Sequence, residues 1–455
     1  MAVDAAVLRE LDEGFDHAVL VFVGTDGYPV SVATDYRVER DRGVITLTPP
    51  AVVPRAGTEV NVIVSHIRPL ETGYDERRYI QLWGRVRRTD RGLELEPERF
   101  HTWDEHKVPF FQYSELTVPQ AHRHLRQLGR ERGRTIRPKL SFGWLALRTT
   151  RAPFLTATIV PILLGVAAAA LEGRWSLFLA GLTLLAGSLV HLGLNIANDV
   201  FDTMSGADAA NTTPTQFSGG SRVVHYGLVR LRTIALLSAA FYVAGIGIGL
   251  YLAFRTDFWP LFWLGAAGVA ISVFYTAPPL RLVHRGLGEI AVALGFGPIM
   301  LLGAYFVQAE RFAFEAIYLS IPVAILIALV LYLNEIPDRA GDAAAGKRTL
   351  PVRWSKDAVI GVYAWSVTLT YALIAAGALT GILPRPTVLA LATIPLAVRV
   401  TRALRRDYDD PYALMFSAMG SNIKLHLFTG LLLLAGYLAA IWADRVLEDV
   451  PAFLA

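Results

Sequence analysis

Hydrophobic and polar positions follow two different rules along this 455-residue chain. Over residues 15–100 they alternate with a period of two. The run HAVLVFVGTDGYPVSVATDYRVE predicts strand, turn and strand, with Asp26-Gly27 at the turn. VITLTP at 44–49, EVNVIVSHI at 59–67 and YIQLWGRVRR at 79–88 add further strands. Four or five short strands punctuated by Gly and Pro predict a small β-barrel. Residues 116–131 read as a helix. From Ala152 onward the alternation disappears, and apolar stretches reach the ~20 residues a helix needs to cross a bilayer. They lie near 152–171, 176–198, 233–254, 259–276, 287–307, 314–334, 358–381, 386–398 and 424–443, which predicts nine spans.

Charge divides the chain at the same place. Of the first 140 residues 42 are charged, against 40 of the remaining 315. A soluble domain therefore precedes a multi-pass all-α membrane domain, with boundaries expected at 1–115, 116–150 and 151–445. The amino terminus has early acidic residues and no basic-then-apolar leader, so the first domain is expected in the cytoplasm. The linker carries seven Lys or Arg between Arg123 and Lys139 against the single Glu131. Anionic lipid headgroups are the expected partner, at ~1 kcal/mol per basic residue near the surface. No base-reading module accompanies the run, so nucleic acid is not expected. The connections near 199–232, 277–286, 335–357 and 399–424 hold 15 Lys or Arg, and the alternate connections with the carboxyl tail hold 5. The bias puts the first set in the cytoplasm and the carboxyl terminus outside. Absence of cysteine excludes disulfides, thiolate metal sites and a catalytic thiol.

The chemistry concentrates in two runs where apolar spans meet basic loops. LNIANDVFDTMSGAD carries Asn195, Asn198, Asp199, Asp202 and Asp208, the first four on one helical face. LNEIPDRAGDAAAGKRTL carries Asn334, Asp338 and Asp342 at i, i+4 and i+8, followed by Lys347 and Arg348. Five carboxylates facing lipid would cost on the order of 10 kcal/mol, so they must face water or a cation. Carboxylate and amide oxygens suit Mg²⁺, which keeps waters and bridges to substrate phosphates. Arg222, Arg281, Arg285, Lys347 and Arg348 suit the phosphate oxygens themselves. Ordinary solvated charges at helix ends would explain one such cluster, but poorly explain two, each with a basic partner.

These runs resemble the two aspartate-rich motifs of the UbiA-type intramembrane aromatic prenyltransferases, over about residues 145–445. RAPFLTATIVPILLG at 151–165, FSGGSRVV at 217–224 and YTAPPLRLVHRGLGE at 275–289 agree as well. The resemblance implies nine transmembrane helices and Mg²⁺-dependent transfer of a polyprenyl group from an isoprenyl diphosphate to an aromatic acceptor. The long interval from Asp202 to Asp208, the GGS segment and the GKRTL ending resemble the 1,4-dihydroxy-2-naphthoate branch of menaquinone synthesis, where prenylation accompanies loss of CO₂. It implies Asn198, Asp202, Asp208, Asp338 and Asp342 as metal ligands. Asp199, Asp202, Asp338 and Lys347 are implied in catalysis. Asn195, Arg222, Tyr275, Arg281 and Arg348 are implied in substrate binding. Gly219-Gly220 is open between a backbone anion site and a plain turn.

Residues 10–115, from VLVFVGTDGYPVSVATDYRV through RYIQLWGRVRR, are similar to the pyridoxamine-phosphate-oxidase-type split barrels that bind FMN. Arg55 stands where relatives can place a phosphate-binding cation. A flavin site and a flavin-free barrel serving docking or homodimer formation both fit. His122 and His124 sit in the basic linker, and His101 and His106 are expected in a polar helix or loop, so no histidine metal site is expected. The rival readings are prenyl transfer to homogentisate, 4-hydroxybenzoate or a chlorophyll precursor, and a polytopic transporter with a docking barrel. A transporter places its charges midway along broken helices rather than at helix ends.

Overall fold

The computed structural model describes residues 5–70, 73–136, 141–211 and 214–449. They divide into two units, Met1–Thr117 and Val118–Ala455.

The first unit opens with helix α1 (Ala5–Gly14) and continues as one antiparallel sheet. Its strands are β1 (Ala18–Val23), β2 (Pro29–Thr34), β3 (Tyr36–Glu39), β4 (Val44–Leu47), β5 (Glu59–Leu70), β6 (Gly73–Thr89) and β7 (Gly92–Asp104), in the order β2-β1-β5-β6-β7-β4-β3. The two edge strands are separated only by Asp35, so the sheet must curl until its edges approach. Thr48 N–H donates to the Asp35 carbonyl at 2.9 Å, and the Thr34 hydroxyl donates to the Thr48 carbonyl at 2.5 Å. Alternation then puts Leu20, Val62, Leu82, Leu95 and Ile45 inside, with α1 contributing Leu8 and Leu11. The Asp26-Gly27 turn forms as expected, with Gly27 at φ +81° and Tyr28 N–H donating to Asp26 at 3.1 Å.

β7 is the strand that sequence reading missed, and it contains His101, expected in a helix or loop. Its run GLELEPERFHTWD is polar because its outward face is charged. Pro97 is tolerated there because the register shifts between Trp83 and Gly84, so its missing N–H falls at a bulge. Helix α2 (Phe110–Glu131) starts earlier than expected and runs across the division between units.

The second unit is helical. After α3 (Phe142–Thr150) and a short apolar helix α4 (Thr156–Leu171) come α5 (Leu177–Ser205), α6 (Leu231–Arg255), α7 (Phe258–Phe274), α8 (Gly288–Ala309), α9 (Phe314–Ala344), α10 (Lys356–Thr380), α11 (Arg385–Asp407) and α12 (Pro411–Asp444). Among the described residues seven helices are long and apolar enough to cross a membrane, and α4 and α7 are apolar but shorter. The segments are those expected, with two of the nine below the length of a full span. Ser176 and Ser355 cap α5 and α10 with their hydroxyls, and Gly206 ends α5 at φ +80°. In α8 the helix widens to a π turn at Gly295–Ile299, where Pro298 has no N–H to donate.

Two apolar clusters form the core, and α9 contributes to both. One joins it to α10, α11 and α12 through Leu333, Tyr363, Val400 and Leu425, and the other to α4, α8 and α12 through Leu164, Leu301, Leu319 and Leu433. Small residues permit these close crossings. A Cβ at Gly165 would stand 2.3 Å from the Leu301 carbonyl oxygen, and one at Gly430 2.3 Å from a Val160 methyl. Helix α9 has 31 residues, about 46 Å at 1.5 Å per residue, against a hydrocarbon core of ~30 Å. Its surplus of roughly ten residues matches the length of the second acidic run at its carboxyl end.

Candidate active site

The first acidic run lies on the last turns of α5 and the single turn Ala207–Ala210, and the second on the last turns of α9. Both border one cavity of about 180 Å³. Asn195, Asn198, Asp202, Asp208, Asp338, Asp342, Lys347 and Tyr275 all line it. The fold thus brings the aspartates of the two runs together across 130 or more positions, Asp208 to Asp338 being the shortest interval.

Lys347 joins the two runs. Its Nζ stands 2.9 Å from Asp202 Oδ1 and 3.5 Å from Asp342 Oδ1, and its side chain is 8% exposed. Burial works against the charge, but Asp202 and Asp342 outweigh it and hold the ammonium above the ordinary lysine range. Asp208 is pushed up to about 7 by burial, then by the charges of Asp202 and Asp199.

The segment 214–222 ties the runs together from the other side. Gly219 N–H donates to Asp338 Oδ2 at 2.8 Å, and Asn211 Nδ2 donates to Asp338 Oδ1 at 2.7 Å. Ser221 N–H donates to Asp199 Oδ1 at 2.9 Å. Gly219 and Gly220 adopt φ +75° and +70°. A Cβ at Gly220 would lie 2.9 Å from Asp199 Oδ1 and 3.2 Å from Asp208 Oδ1. The Gly pair is therefore a turn that brings backbone against carboxylates, and the Gly219 N–H serves Asp338 rather than an exogenous anion.

Four expected cations stand elsewhere. Arg222 is buried but turned into its own loop, donating to the carbonyls of Gly219 at 3.3 Å, Asp208 at 3.0 Å and Asn211 at 2.5 Å. Loop carbonyls left without donors in a buried setting account for this use. Arg281, Arg285 and Arg348 are exposed and do not line the cavity, and Arg285 donates to the Pro279 carbonyl at 3.2 Å. Asp199 is also absent from the lining, held behind the Gly220 turn with Oδ2 unpartnered among the described residues. Sequence reading missed Arg151, whose left-handed backbone at the end of α3 directs it to the cavity, together with Asn211, His191 and Glu335. Arg151 opens the segment 151–165 and has no recognisable spacing to the acidic runs.

The oxygen donors suit a hard divalent cation. Among the described residues no three His, Asp or Glu side chains converge tightly enough to form a metal cage. Mg²⁺ does not need one, because it is held by one or two carboxylates with water and substrate phosphates completing the shell. Asp202 and Asp342, bridged by a lysine ammonium, already answer to positive charge.

A second, apolar pocket of about 620 Å³ lies among α5, α6, α7 and α8. It shares His191, Leu194, Tyr275, Val292 and Phe296 with the charged cavity. A charged cavity thus adjoins an apolar pocket among apolar helices, seven of which among the described residues are long enough to cross a membrane, the arrangement of a multi-pass membrane protein. The UbiA prenyltransferase family model matches residues 158–428, more than half of the chain, and the chain belongs to that family. Among curated relatives it is 30% identical to the 2-carboxy-1,4-naphthoquinone phytyltransferase of Synechocystis over 65% of this chain and 92% of that one. It is 27% identical to the 1,4-dihydroxy-2-naphthoate octaprenyltransferase of Bacillus subtilis, over 69% of this chain and 98% of the relative. A solved UbiA homolog from Archaeoglobus fulgidus bound to GPP and Mg²⁺ aligns at 16% identity with a TM-score of 0.48, covering 65% and 99% of the two chains. Family membership rests on the family match and the curated relatives.

Proposed function

We propose that this chain is a Mg²⁺-dependent prenyltransferase that joins a polyprenyl group to 1,4-dihydroxy-2-naphthoate with loss of CO₂, in menaquinone synthesis. The observation that carries the reading is the meeting of both acidic runs on Lys347 beside an apolar pocket. The named activities of the Synechocystis and Bacillus relatives support the naphthoate acceptor.

The diphosphate head sits in the charged cavity and the prenyl chain in the apolar pocket. Asn198, Asp202, Asp208, Asp338 and Asp342 are the oxygen donors for Mg²⁺, which when bound neutralises the charge developing on the leaving diphosphate. Lys347 contributes a fixed cation to the same oxygens, and Arg151 takes the part assigned from sequence to Arg222. Asn195 and Tyr275 border the acceptor. The allylic C1–O bond breaks and its electron pair leaves with the diphosphate. A ring carbon's electron pair forms the new C–C bond. Breakage of the bond to the carboxylate returns a pair to the ring as CO₂ departs.

All nine apolar helices cross the bilayer, with the amino-terminal unit cytoplasmic and the carboxyl terminus outside, as the basic loops favour. The amino-terminal sheet is a split barrel whose edges close through Asp35, and it serves docking or pairing of two copies. Arg55 is exposed with no buried polar cradle described around it, so no step is assigned to flavin. Purified protein with flavin absorption would reverse that assignment.

Mass spectrometry of products from purified protein in lipid nanodiscs, with Mg²⁺, prenyl diphosphates of several lengths and a panel of aromatic acceptors, tests the reaction. Prenylated naphthoquinol is expected. Exclusive use of another acceptor overturns the naphthoate assignment, and no transfer to any acceptor overturns the enzyme reading.

A further inference from the structure

Glu335 is the one carboxyl of the second acidic run that has been given no role. It lies on α9 one residue after Asn334 and lines the charged cavity beside Tyr275 and Leu331. It is 5% exposed, and both of its carboxyl oxygens lack a hydrogen-bond partner among the described residues. Glu289, on the first turn of α8, is buried beside it: a Cβ added at the adjoining Gly288 would stand 3.5 Å from Glu335 Oε1. The two carboxyls are within reach of one shared proton, and Glu289 Oε1 has no other partner among the described residues. The nearest buried ammonium, Lys347, is engaged by Asp202 and Asp342 instead. Buried polar groups in folded chains are ordinarily satisfied. Even with one proton shared between the two carboxyls, a Glu335 oxygen is left without a donor at a cavity inside a membrane bundle, which is costly unless a ligand supplies one.

The donor fits one substrate better than the other. A prenyl diphosphate presents acceptor oxygens only and is repelled by a carboxylate. An aromatic acceptor with ring hydroxyls presents O–H donors, and its ring becomes more nucleophilic as the hydroxyl gives up its proton. From Glu335 and its surroundings, we infer that this residue binds a hydroxyl of the aromatic acceptor and takes its proton as the new C–C bond forms, with Glu289 positioning it from α8. The O–H bond breaks toward a Glu335 oxygen, and the oxygen's electron density passes into the ring carbon that attacks the allylic centre. After CO₂ leaves, the proton returns to the same oxygen, so no proton is gained or lost overall. This inference rests on the aromatic-acceptor reading above.

The test compares wild type, Glu335→Gln and Glu289→Gln in nanodiscs with dihydroxynaphthoate and with a ring-halogenated analogue whose hydroxyls are more acidic. Gln keeps the shape of the side chain and removes its basicity. E335Q is expected to lower kcat/KM for the acceptor by ~100-fold, within the range of a lost general base. The KM for prenyl diphosphate should move less than threefold, and the halogenated acceptor should recover at least tenfold of the loss. E289Q is expected to give a smaller loss with the same recovery. An unchanged acceptor kcat/KM in E335Q overturns the inference, as does a loss that the halogenated acceptor does not relieve. Wild type that fails to prenylate any hydroxylated ring overturns the underlying reading together with it.

Discussion

Replacing Lys347 by Met removes a side chain that bonds to both acidic runs while keeping most of its volume. Its ammonium lies 2.9 Å and 3.5 Å from carboxylates that are themselves buried. Removing one partner of such a buried pair typically costs about 3–5 kcal/mol, because the remaining charges lose their compensation. A divalent cation competes with the lysine for those same oxygens. K347M should therefore bind Mg²⁺ more tightly than wild type, by at least tenfold if about 1.4 kcal/mol of the relieved competition appears in binding. Catalysis should move the other way, because a fixed cation facing the leaving diphosphate is gone. Loss of one such electrostatic contact commonly costs ~10²–10³ in turnover. The assay is thermal unfolding in nanodiscs with EDTA and across a Mg²⁺ titration, alongside transfer at saturating Mg²⁺. A lowered Tm in EDTA that Mg²⁺ restores, with turnover still depressed, is the expected signature. Equal Tm in EDTA and equal Mg²⁺ midpoints for the two proteins would refute the competition argument.

Asp202→Ala should abolish Mg²⁺-dependent transfer with an unchanged circular dichroism spectrum, whereas retained turnover in purified protein would remove Asp202 from the site. Gly220→Ala places a methyl against Asp199 and Asp208 at a backbone angle that L residues rarely adopt. Transfer should fall at least tenfold, and wild-type kinetics would show that this turn does not position the carboxylates. Gly265→Leu projects into the apolar pocket, where no atom stands within 4 Å of the added Cβ. Competition between short and long prenyl diphosphates should then shift toward the shorter chain, and an unaltered product distribution would place the prenyl chain elsewhere.

Much of the fold was legible because its periods are long and strong. Alternation marked five strand segments, with β2 and β3 read as one, and apolar length marked the seven helices long enough to cross a membrane and the two shorter apolar ones. β7 escaped although its start alternates, because Glu94, Glu96 and Glu98 are poor strand formers and Pro97 interrupts the run. The acidic residues were legible for the opposite reason, since carboxylates are rare and expensive beside hydrocarbon. Their direction was not. Arg222, expected toward a phosphate, is spent on loop carbonyls, and Asp199 lies behind a glycine turn, outcomes that local spacing does not encode.

The 455 residues alone determined a charge-dense domain ahead of a membrane domain, two acidic runs at helix ends, and oxygen-ligand chemistry without thiols. Those properties are sums over neighbours in the chain, so they survive without knowledge of the fold. Tertiary structure decided that Lys347 pairs with Asp202, 145 positions earlier, and that Asp338 receives the Gly219 N–H. It also decided that Arg151 and Glu335 reach the cavity. These depend on how helices cross and where backbone groups need partners, and such distances belong to the packed chain rather than to its order.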